Sequence, residues 1–64
     1  MYDDLATRRA IGEFLSDISD TTRAAIDVVA APDPRNTSAL REQLARTIVA
    51  VDRLSEAVEH RHAA

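Results

Sequence analysis

The sequence predicts an all-α fold, an antiparallel two-helix hairpin that assembles as a homodimeric four-helix bundle. Three observations carry that expectation. Two stretches share an apolar rhythm, a proline-marked turn separates them, and their apolar surface is wider than a single seam between two helices uses. In the first stretch the rhythm falls on Ile11, Phe14, Ile18, Thr21, Ala25 and Val28, at alternating steps of three and four. In the second it falls on Leu40, Leu44, Thr47, Val51, Leu54 and Val58. Folding the chain back at Pro32-Asp33-Pro34 sets Val28 against Leu40, Ala25 against Leu44 and Thr21 against Thr47. It then sets Ile18 against Val51, Phe14 against Leu54 and Ile11 against Val58, large on small or like on like.

The first helix is expected over about 4–31, opened by Asp3 or Asp4, whose carboxylates suit the free amides and positive dipole of a helix start. Pro32 ends it, because proline disfavours helical geometry in the residue before it and brings no amide hydrogen. Gly12 costs about 1 kcal/mol relative to alanine inside such a helix. The run Ser16-Asp17-Ile18-Ser19-Asp20-Thr21-Thr22 competes for backbone hydrogen bonds, yet the seam spacing crosses it without a change of phase, so one continuous helix is expected. The turn occupies about 32–36. A second helix follows over about 37–61, with Asp33-Pro34 or one of Asn36, Thr37 and Ser38 as its start signal. Four-residue pairs, Asp4 with Arg8 and Glu42 with Arg46, support both helices by a few tenths of a kcal/mol each.

At 64 residues the chain is one domain, residues 1–64. A globule of this size hides only about 60% of its unfolded surface, and two helices meeting along one seam hide less. Disulfides, a structural metal or association are the usual remedies. The absence of cysteine removes disulfides, thiolate metal sites and a cysteine nucleophile together, which leaves association. Ile26 and Val29 on the first helix, and Ile48 and Val49 on the second, broaden the apolar face and are the expected interface. The expected partner is a second copy of the chain, most simply as a dimer. A different protein is the alternative occupant.

The composition limits other classes. Apolar residues make up 45% of the chain and charged ones 30%, the balance of a folded protein rather than a disordered one. No apolar run reaches the roughly 20 residues that cross a bilayer. The opening Met1-Tyr2-Asp3-Asp4 is acidic where a signal peptide is basic, so no membrane role and a cytoplasmic location are expected. Arginine without lysine, with abundant alanine, is a composition that GC-rich bacterial genes favour. The net charge of −3 concentrates in the first half, which offers nucleic acid no bulk attraction.

Catalysis is disfavoured by inventory. There is no cysteine or lysine, and the lone glycine builds no phosphate loop. No serine stands with a histidine and an acid at a strand-to-helix corner. No catalytic residue and no cofactor are expected, and the expected role is a non-enzymatic protein–protein interaction module, a small adaptor or regulator. Two alternatives have their own residues. Arg8, Arg9 and Arg61 gather at the open end of the hairpin and form the nucleic-acid alternative, with no aromatic platform beside them. In general shape alone, the hairpin resembles small plasmid-encoded RNA-binding bundles. Glu56, Glu59 and His62 have a carboxylate and histidine spacing found in metal-binding bundles and form the metal alternative, although a solvated helix end is the preferred account of them. Glu13, Asp17, Asp20 and Asp27 approximate one outer stripe of the first helix, read as a solubilising face.

Overall fold

The computed structural model describes residues 2–63, and side chains over 5–60. It is an antiparallel pair of helices, α1 (Tyr2–Ala30) and α2 (Pro34–Ala63), that pack on each other along their length. α1 runs unbroken through the Ser16–Thr22 stretch. There the Thr22 hydroxyl donates to the Ile18 carbonyl one turn back, a local bond that the helix accommodates. The result is a rod of 47 × 13 × 11 Å with a radius of gyration of 14.6 Å. A compact domain of this length would have about 11 Å.

The turn is tighter than expected, and the sequence accounts for it. Asp33 is the cap of α2: its Oδ1 accepts the Asn36 amide at 2.9 Å, and Pro34 takes the first helical position, where its missing N–H costs nothing. The second helix therefore begins at Pro34 rather than near 37. Asn36, instead of capping its own helix, reaches back to α1. Its Nδ2 donates to the Ala31 carbonyl at 2.8 Å and to the Asp27 carbonyl at 3.3 Å. Both carbonyls also accept a backbone amide, Asp27 from Ala31 at 2.8 Å and Ala31 from Asp33 at 2.9 Å, so the Asn36 amide adds a second bond to each at a helix end where many helices use a glycine at positive φ. No described residue has positive φ. One side chain thus closes the first helix while belonging to the second.

The seam differs from the expected ladder in every second step. With Thr7 taken as position a of a heptad, the most covered residues of α1 are Thr7, Ala10, Phe14, Asp17, Thr21, Ala24 and Val28. On α2 they are Asn36, Leu40, Gln43, Thr47, Ala50, Leu54 and Ala57. Phe14, Thr21, Val28, Leu40, Thr47 and Leu54 lie where the sequence placed them, at position a. The alternate places are taken at position d by Ala10, Asp17 and Ala24, and by Gln43, Ala50 and Ala57. Ile11, Ile18, Leu44, Val51 and Val58, expected in the seam, sit one residue further round at position e and keep 37–46% of their surface exposed. Ala25 shares position e and is half-buried. Small side chains at d let two helix backbones come close, which places the bulkier neighbours beside the seam rather than within it.

The centre of the seam is polar and hydrogen-bonded. The Thr21 and Thr47 hydroxyls meet across the helices at 2.8 Å. Thr47 Oγ1 also lies within hydrogen-bond reach of the Gln43 carbonyl at 3.0 Å and of the Asp17 carbonyl at 3.5 Å. Gln43 Nε2 donates to the Asp17 carboxylate at 3.2 Å and to the Asp17 carbonyl at 3.3 Å. Among the described residues no buried side-chain polar atom lacks a partner. Such a layer offers its bonds at one alignment of the helices, since sliding either helix would leave hydroxyls and an amide unpaired. It also withdraws Asp17 from the outer acidic stripe in which its spacing had placed it.

Candidate interaction surface

A seam of this composition covers little grease. Among the described residues Ala10 and Ala50 are the buried apolar ones, and no large side chain is fully enclosed. Eleven large apolar side chains among the described residues are exposed, and their positions are not random. Eight of them, Ile11, Leu15, Ile18, Val29, Leu44, Ile48, Val51 and Val58, occupy heptad positions e and b. In an antiparallel pair the e positions of both helices flank the seam on one side and the g positions on the other. Positions b lie next to e on the helix wheel. The e and b residues of both helices therefore form one continuous flank. Val29 is 84% exposed and Ile48 62%.

The opposite flank, at g and c, is charged. On α1 at g, Glu13 and Asp20 lie opposite Arg53 and Arg46 of α2, while Asp27 near the turn has Ala39 opposite it and His60 at the open end has Ala6. Glu13 and Arg53 make the contact explicit, with Nη1 to Oε2 at 3.7 Å. Outside each g row the sign reverses. Arg9 and Arg23 lie beside the acids of α1, and Glu42 and Glu56 lie beside the bases of α2, four residues before the group each can pair with. Two open grooves run here, one by Arg9, Glu13, Glu56 and His60, the other by Glu13, Arg46, Val49 and Arg53. Each charge has an opposite neighbour at hand, so this side needs no external partner to balance it.

The residues singled out by sequence divide between these flanks. Val29 and Ile48 lie on the apolar flank, and Ile26, 61% exposed at position f, borders it. Val49 does not join them: it lines a charged-flank groove with Arg46 and Arg53. Arg8, at b, sits on the apolar flank, whereas Arg9, at c, lies in the charged groove between Glu13 and Glu56. Those two arginines do not share a face, and the side chain of Arg61 lies outside the described residues. Glu56 and Glu59 are exposed, and the side chain of His62 is likewise outside the described residues. Among the described residues no three His, Asp or Glu side chains gather to hold a metal ion. No helix among them is long and apolar enough to cross a membrane.

Sequence reasoning passed over Leu15, Thr22 and Ser55, which complete the apolar flank. A signal was present. Ile11, Leu15, Ile18, Thr22, Ala25 and Val29 form a second line at steps of four and three, parallel to the first and offset around the helix, and Leu44, Ile48, Val51, Ser55 and Val58 repeat it. No protein-family model matches this chain, and no curated protein and no solved structure matches it.

Proposed function

We propose that this protein is a non-enzymatic protein–protein interaction module, a small cytoplasmic adaptor or regulator that works as a homodimer, two hairpins joined in a four-helix bundle. The observation that carries the proposal is the second apolar line on each helix, left exposed by the hairpin while the other flank is charged and self-balanced. A helix with two apolar lines has two neighbours to satisfy, and the hairpin supplies one. The exposed area agrees. The chain presents 5088 Å² to solvent, whereas a compact monomer of 7.0 kDa presents about 4,000 Å². The excess, about 1,000 Å², is comparable to the roughly 800 Å² that each partner contributes to a standard interface.

The nucleic-acid alternative is weakened by the separation of Arg8 from Arg9 and by the acids around Arg9. The metal alternative lacks a converging set of ligands among the described residues. Sedimentation or light scattering at micromolar concentration tests the proposal. Twice the mass of the 7.0 kDa chain is expected, and a monomer that melts cooperatively would overturn it.

A further inference from the structure

We infer that the second copy docks on the e and b flank with both hairpin turns at the same end of the bundle, so that α1 of each copy lies on α2 of the other. This rests on the homodimer reading and adds to it a face and an orientation. The argument is one of size. At each level along the flank the two helices of one hairpin offer unequal side chains: Leu15 stands beside Ser55, Ile48 beside Thr22, and Leu44 beside Ala25. The levels follow from the seam, where Thr21 bonds Thr47. A two-fold axis parallel to the helices keeps every level and exchanges α1 for α2. It therefore lays Leu15 of one copy over Ser55 of the other, Ile48 over Thr22 and Leu44 over Ala25, each large residue meeting a small one. The medium pairs Ile18 with Val51 and Ile11 with Val58 fill the levels between. A two-fold axis across the helices lays α2 on α2 instead. With that axis at the level of Ile48, it drives Ile48 against its own copy and brings Arg41 to Ser55. Close-packed interfaces favour the arrangement that alternates large and small.

The charges agree with this face. Between Ile11 and Val29 on α1, and between Leu44 and Val58 on α2, the e and b positions carry no ionised side chain. Arg8 and Arg41 stand at the two ends of the flank; by the same levels Arg41 lies beside Val29, so the proposed dimer lays Val29 of one copy on the aliphatic stem of Arg41 of the other, whose head reaches water at the rim.

Because the chain has no cysteine, single-cysteine variants carry one spin label per copy. Arg35→Cys marks the turn end and Glu59→Cys the open end, both at exposed positions. In the proposed dimer each variant gives a label-to-label distance near the width of two helix layers, roughly 25 Å. With turns at opposite ends both distances approach the 47 Å length of the rod; a dimer with that result overturns the orientation and leaves the homodimer standing. Leu44→Asp is expected to weaken dimerisation at least 100-fold. A dimer unaffected by it overturns the face, and unlabelled protein that stays monomeric overturns the inference together with the reading beneath it.

Discussion

The two flanks of this hairpin are made from the same helices and differ in what they leave unfinished. On the g and c side Glu13 and Asp20 of α1 lie opposite Arg53 and Arg46 of α2, with reversed charges outside them, so most charges there have an opposite neighbour in water. On the e and b side eight large apolar side chains stand exposed, with only serine, threonine and alanine between them. The difference teaches that the seam within the hairpin covers only part of the apolar surface. That seam is narrow, polar at its centre and lined with alanine. The bulk of the hydrophobic side chains lies on the e and b flank, exposed in the single hairpin.

The sharpest way to break the comparison is to place the same charge on adjacent residues of different flanks. Ile48→Asp should abolish dimer formation at micromolar concentration. Two copies each lose an apolar contact of about 1.5 kcal/mol or more, a factor of roughly 100 or above in affinity. Val49→Asp, grouped with Ile48 on sequence grounds but set between Arg46 and Arg53, should leave the sedimenting mass unchanged. Equal effects at the two sites would show that the flanks are not distinct.

A smaller effect is expected at the seam between them. Thr47→Val removes the hydrogen-bond partner of the Thr21 hydroxyl in a partly buried place and should cost about 1 kcal/mol in urea unfolding. Adding Thr21→Val should restore much of the loss, since both polar partners are then gone; a double variant weaker than the single would count against the hydrogen-bonded layer.

Gly12 belongs to neither flank. A Cβ there meets nothing within 4 Å, so Gly12→Ala should raise stability by about 0.5–1 kcal/mol without altering mass or label distances. The smallest change should follow Arg53→Gln on the charged flank. Its pairing with Glu13 spans 3.7 Å between side chains 66% and 46% exposed, and such pairs contribute about 0.5 kcal/mol or less, reduced further by salt. A loss above 1 kcal/mol that persists in 1 M salt would mean the charged flank is sheltered as well.

Much of the architecture is determined by the sequence alone. Pro32, Asp33 and Pro34 end one helix and start the next through fixed φ and a capping carboxylate, both local effects. The alignment of the helices was legible too, because Thr21 and Thr47 are equidistant from that turn and arrive opposite each other. The tertiary structure decided which apolar line each helix gives to its own partner. Positions d and e are neighbours of the shared position a on opposite sides, and ranking by hydrophobicity chooses Ile11, Ile18, Leu44 and Val51 over Ala10, Asp17, Gln43 and Ala50. Packing chooses the smaller set. Two backbones joined by a short turn come close over alanine and over side chains that bond each other, and that closeness cannot be weighed along one strand of letters, because it is a property of two surfaces meeting.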